Sequence, residues 1–288
     1  MSGRNKTYVA QEETLLEVRD KIDNIRAITN NNFNLINSTL DSDNPVPLDT
    51  IILQAVVGNI FEYATAGDYI LQIPAIVSKI KVTACGAGGG GGGGGLTTSA
   101  GGGGGGEAIV DAEYAVMPQS QLHIKVGAGG QGGATGLNNG EAGNPTVIGD
   151  LVTLRGGLGG TSVSQSAGLG AQAIGNGGAG GNGLYIPKGT EISGMSNAGT
   201  KGLVGNGGAG ITPQGNTTGS YSNGATSGGG GGGSLGNGGK GKNGNGGGTV
   251  PTKGGGGGGG GGGYIASQNK STAGTAGAPG YVKITWGY

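Results

Sequence analysis

The stretch Lys79-Ile-Lys-Val-Thr-Ala-Cys-Gly-Ala-Gly88 decides the fold: it alternates charged and apolar residues as a half-buried strand does, then runs unbroken into glycine from 88 to 95. Further glycine runs occupy 101–106, 228–233 and 254–263. Glycine loses more backbone entropy on ordering than any other residue, about 0.5–1 kcal/mol relative to alanine, and has no side chain whose burial could compensate. Backbone hydrogen bonds are what remains. A left-handed helix of the polyproline II type makes none internally and turns its N–H and C=O groups outward, so parallel and antiparallel glycine strands can satisfy one another in a bundle. The longest run spans about 31 Å at 3.1 Å per residue.

Around this stretch lie further short apolar segments: Tyr69–Pro74, Ala108–Val116, Gln121–Val126, Thr146–Leu154 and Tyr281–Trp286. Their partial alternation predicts antiparallel strands with one solvated face, in a sheet or sandwich. A phrase recurs as Gly175-Asn-Gly-Gly-Ala-Gly180, Gly205-Asn-Gly-Gly-Ala-Gly210 and Gly236-Asn-Gly-Gly-Lys-Gly241. Its period of about 30 residues suits stacked units, with Asn, Ala or Lys facing water at every third position of outer strands. Between the glycine runs lie stretches rich in Ser, Thr, Asn and Tyr: 184–204, 211–227, 249–253 and 264–276. Rigid tyrosine rings beside adaptable polar groups suit recognition, and the candidates are Tyr185, Tyr221, Tyr264, Asn197, Asn216, Asn223 and Asn269. Turn-forming residues also collect in loops that bind nothing.

The first segment reads differently. Thr14-Leu-Leu-Glu17 has the form of a capping box, and Leu15, Val18, Ile22, Ile25, Thr29, Asn32 and Ile36 follow at three-four spacing before Asp41-Ser-Asp-Asn-Pro45. The pattern predicts a coiled-coil-like helix roughly 40 Å long that buries its stripe by self-association, as a homotrimer. Docking on its own domain or on another protein is the alternative. The predicted fold class is therefore mainly β: an N-terminal coiled-coil-like helix, then a short antiparallel β-sandwich or sheet framing a polyglycine-II helix bundle with polar loops. The predicted organisation is a helical attachment segment over 1–45, a β-rich framework over 46–155, and a bundle with display loops over 156–288.

Composition restricts the function classes. Of 288 residues 78 are Gly and only 33 % are hydrophobic, a mixture that in unpatterned form means disorder. The alternating strands and the phased repeat argue against it. With 16 basic and 16 acidic residues no net field favours nucleic acid. The polar Met1-Ser-Gly-Arg-Asn-Lys6 opening and the lack of 18 consecutive apolar residues predict synthesis in the cytoplasm without a signal peptide, and no membrane insertion. Gly127-Ala-Gly-Gly-Gln-Gly132 matches a dinucleotide pattern by chance, since no helix is predicted after it. His123 reads as an ordinary sheet residue, and the single cysteine, Cys85, as a small buried hydrophobe. No catalytic residue, cofactor or metal ligand is expected, and the chain is not read as an enzyme.

Tyr69-Ile-Leu-Gln-Ile-Pro74, the strand into polyglycine, Leu122-His-Ile-Lys-Val-Gly-Ala-Gly-Gly130 and Gly280-Tyr-Val-Lys-Ile-Thr-Trp286 come in an order that resembles the glycine-rich domain of phage tail fibres and related virion proteins, over 61–288. The style is similar to that of the T-even-type adhesins, whose polyglycine-II bundles display host-recognition loops. The resemblance implies a virion tail protein whose loop tips bind a host surface receptor, a glycan or an outer-surface protein. It also implies that residues 1–45 join other virion tail proteins, and that the last strand returns to the sheet begun at Tyr69. No binding residue transfers position by position. A purely structural virion part is the alternative reading; an ice-binding protein is a remote one, disfavoured by the irregular loops.

Overall fold

A computed structural model describes residues 59–187, 194–211, 225–243, 248–255, 262–265 and 268–286. Among these residues the regular structure is all β, with no helix. The mainly β class with an N-terminal helix is thereby corrected to an all-β fold. Glycine in a helix interior costs about 1 kcal/mol relative to alanine, and no 3.6-residue apolar period survives among these runs. The helix reading itself, with Leu15, Val18, Ile22, Ile25, Thr29, Asn32 and Ile36 and the trimer built on them, falls outside the described residues.

Two antiparallel four-stranded sheets form a sandwich. In the first, β1 (Asn59–Tyr63), β14 (Tyr281–Trp286), β3 (Lys79–Cys85) and β5 (Ala108–Ala115) lie in that order. The second is ordered β2 (Gly67–Gln72), β6 (Gln121–Val126), β7 (Thr146–Ile148) and β8 (Val152–Leu154). The last strand thus does not join the sheet of Tyr69. It sits between β1 and β3, Ile284 opposite both Phe61 and Val82. The reason is its own burial: Tyr281, Val282, Ile284 and Trp286 are all buried, and a strand between two partners satisfies both of its backbone edges. Alternation sets the inner faces. Ile80, Val82, Val282 and Ile284 from one sheet meet Leu71, Leu122, Ile124 and Ile148 from the other in one apolar cluster. Full burial of each such side chain contributes about 1.5–3 kcal/mol. Trp286 stacks on Phe61 at a ring separation of 4.8 Å.

Beyond Cys85 the chain leaves the sandwich as the glycine run, and the hydrogen bonding changes period from two to three. Gly86, Gly89 and Gly92 donate to the carbonyls of Glu107, Gly104 and Gly101. Ala87, Gly90 and Gly93 donate to Asn144, Glu141 and Asn138, and Gly88, Gly91 and Gly94 to Ala278, Thr275 and Thr272. Successive residues therefore address three different neighbours, all antiparallel. Run 86–95 accepts from two parallel ones, from Gly130 and Gly133 on one side and from Gly157 and Gly160 on another. This is the three-residue repeat of the polyproline II helix, packed with its backbone groups paired between strands. The run 228–233 is a second hub, donating to Ala100 and Gly103, to Asn197 and Thr200, and to Lys242 and Gly239.

Outer strands complete the lattice with side chains. Asn139, Asn176, Asn182 and Asn237 Oδ1 accept from the N–H groups of Ser162, Ala108, Gly170 and Asn206 at 2.8–2.9 Å. In two of the three copies of the recurring phrase, at Asn176 and Asn237, the asparagine is exposed and its side-chain oxygen pairs an N–H of the adjacent strand.

Glu107 joins the returning glycine run to β5. Its carboxylate accepts from Arg155 Nε at 3.1 Å and from Arg155 N–H at 3.3 Å. The Arg155 side-chain hydrogen bond holds its pKa below the ordinary 4.5, partly opposed by burial. A carboxylate with a depressed folded pKa adds stability above its unfolded pKa, and that stability is lost as pH falls through the folded value. Glu107→Gln should cost up to about 1 kcal/mol at pH 7, since Arg155 is largely exposed and screened. Urea unfolding should also show the wild type losing its advantage over the variant on acidification from about pH 5 to 3.

Candidate functional site

The bundle has two ends. At the sandwich end Gly86 pairs with Glu107 and Ser234 Oγ donates to Gly106 O. At the far end three two-stranded ribbons gather. They are β4 (Thr98–Ala100) with β9 (Ser162–Ser164), β10 (Leu184–Ile186) with β11 (Ala225–Ser227), and β12 (Gly262–Ile265) with β13 (Gln268–Ser271). Strand β11 packs on both β4 and β12, so the ribbons form one cap. Hydroxyls fasten it: Thr226 Oγ1 donates to Gly95 O, and Ser99 Oγ donates to Ser166 O at 2.7 Å while accepting from Gly168 N–H. These small side chains fit where the lattice stops, because a hydroxyl is short enough to reach a backbone carbonyl of the neighbouring strand.

The family model described as a glycine-rich domain matches residues 64–287. The chain belongs to the glycine-rich domain family. A search among curated proteins finds no match. In this glycine-rich domain the match covers the sandwich from before β2, both hubs, the distal ribbons and all of β14.

The distal cap brings together part of the residue set singled out in the sequence. Tyr185 is the central residue of β10, half-buried and opposite Thr226. Tyr264 and Asn269 are register partners of the β12–β13 backbone pair. Asn197 stands elsewhere, on an outer lattice strand, where its N–H donates to Asn182 O and its carbonyl accepts from Gly230. Tyr221, Asn216 and Asn223 lie outside the described residues. Two exposed residues were not singled out: Leu137, 63 % exposed in the turn after Gly136 (φ 95°), and Met195, 58 % exposed beside Gly194 (φ 85°). The left-handed glycines mark both turns, a signal hidden in a chain where glycine is everywhere.

Elsewhere on the glycine-rich domain, His123 lies exposed on β6 opposite Ile70, lining a groove of about 750 Å³ with Met117 and Asp150. Among the described residues no group of three His, Cys, Asp or Glu side chains could hold a metal ion. Cys85 is fully buried and its Sγ–H donates to Lys253 O at 3.2 Å. Burial pushes its pKa up to about 11, so the thiolate is scarce at neutral pH. The native domain should therefore resist alkylation by iodoacetamide at pH 8, with one equivalent incorporated once denaturant exposes the thiol; mass spectrometry reads both.

Proposed function

We propose that this glycine-rich domain is the receptor-binding module of a bacteriophage tail fibre tip, binding the surface of a host bacterium through its distal end. One observation carries the reading. The lattice strands are paired through their backbones while their distal connections, including those flanked by Pro187 and Gly194 and by Ile211 and Ala225, leave from the end where β10 to β13 gather. A stiff base with exchangeable tips is the architecture recognition needs, because a preorganised support lowers the ordering cost of binding. Residence in the virion tail and attachment to other tail proteins belong to the same proposal.

The test is binding of the full chain to cells of candidate hosts, beside a variant in which 188–193 and 212–224 are each replaced by a short Gly-Ser link. Saturable binding that disappears in a variant of unchanged melting temperature is the expected result. No binding by either form to any host would leave a structural virion part in its place.

A further inference from the structure

The zero net charge hides a division. Only one of the 16 acidic residues, Glu191, lies beyond Asp150, whereas seven of the 16 basic residues lie beyond Arg155, and all seven are lysine. Glu191 lies outside the described residues. Three of them lie on bundle strands that run side by side, whereas Lys253 sits over the Tyr281 ring and Lys283 in β14 of the sandwich. Gly199 N–H donates to Gly208 O at 2.9 Å, Gly238 N–H to Asn206 O at 2.9 Å, Gly241 N–H to Ala209 O at 3.0 Å and Thr252 N–H to Asn237 O at 3.0 Å. These strands carry Lys201, Lys240 and Lys242. The ion pairs among the described residues, Lys81 with Glu113 and Arg155 with Glu107, involve none of the three. Lys242 is half-buried, and burial lowers its pKa.

The polar groups between the lysines have surplus donors. Asn237 Oδ1 accepts from Asn206 N–H, Thr252 Oγ1 from Asn237 N–H and Thr249 Oγ1 from Lys240 N–H. Each acceptor is thus used by the lattice, which leaves the asparagine amide hydrogens and the threonine hydroxyl hydrogens available to donate outward. The surface repeats every three residues, about 9 Å. Ammonium groups and donors with no carboxylate paired to them among the described residues ask for an anionic polymer rich in acceptors. Nucleic acid fits less well, because the chain beyond Arg155 has no arginine to grip phosphate bidentately, and residues 197–210, 236–243 and 249–253 have no aromatic ring on which a base could stack.

We infer that this flank binds a carboxylate-bearing polysaccharide, its uronate groups pairing with Lys201, Lys240 and Lys242 and its hydroxyl and ring oxygens accepting from the Asn and Thr rows. The inference rests on the adhesin reading only for the cell-surface origin of the polymer. It is tested by retention of the full chain on immobilised polygalacturonate, neutral dextran and duplex DNA at low salt. Retention on polygalacturonate alone is expected, with about tenfold weaker binding in Lys201→Gln/Lys240→Gln and no change in Lys79→Gln/Lys81→Gln on the sandwich. Equal retention of wild type and flank variant, or none, overturns it, and so does preference for DNA. Host-cell binding by the flank variant separates the two proposals. If cells are still bound at full strength, the flank fails while the adhesin stands; if the wild type binds no cells yet holds polygalacturonate, the adhesin fails while the flank stands.

Discussion

Gly90→Ala should destabilise the domain by on the order of 4 kcal/mol, lowering its melting temperature by many degrees, although it adds one methyl group. Gly90 lies in the middle of the first hub, donating to Glu141 O and accepting from Gly160 N–H. A Cβ built there would stand 2.0 Å from the carbonyl oxygen of Gln131 and 2.4 Å from its carbonyl carbon. No rotamer relieves that clash, since the obstacle is the backbone of a strand bonded on its other sides. Relief requires the strands to separate, which lengthens several hydrogen bonds at once. The comparison that makes the result specific is Gly95→Ala at the distal end of the same run. Its Cβ would meet nothing closer than 3.7 Å, so a change within about 0.5–1 kcal/mol is expected. Thermal and urea unfolding of the two variants measure the difference; similar losses at both sites would mean that glycine serves flexibility and not strand approach.

Removal of β14 should have a larger effect still. A chain ending at Pro279 loses Val282 and Ile284, both fully buried, and the stacking partner of Phe61. It also leaves β1 without a partner and β3 with one open edge in the middle of its sheet. Truncating a buried isoleucine to alanine costs about 2–5 kcal/mol, and here several such groups go together with two ladders of backbone bonds. That sum exceeds the 5–15 kcal/mol typical of a whole domain. No cooperative transition should remain in calorimetry. Ile284→Val grades the same site gently, at about 1 kcal/mol.

Much of the sandwich was legible because side chains spell it. Ile80 and Val82 between Lys79, Lys81 and Thr83, or Leu122, Ile124 and Val126 between Gln121, His123 and Lys125, state both the strand and its buried face. Sheet membership was not legible. Tyr281–Trp286 reads equally well as a partner of Tyr69 or of Lys79, and the pairing of both its backbone edges, with β1 and β3, exists only once the sheet has formed. For the candidate site, the tyrosine of β10 and the Tyr264–Asn269 pair stood in polar stretches that could be picked out. The backbone pairing of Asn197 with Asn182 and Gly230 was not legible, because its neighbours in sequence are those of a turn.

The sequence by itself determined where strands alternate, and that the glycine runs must find backbone partners, since burial of side chains cannot offset their ordering entropy. Only the tertiary structure decided which partners. A glycine run has no side chain with which to encode a neighbour, so Gly89, Gly90 and Gly91 are identical in sequence yet bond to Gly104, Glu141 and Thr275. Their direction and register are imposed from the ends, by Cys85 and Glu107 at the sandwich and by the hydroxyls of Ser99 and Thr226 at the cap.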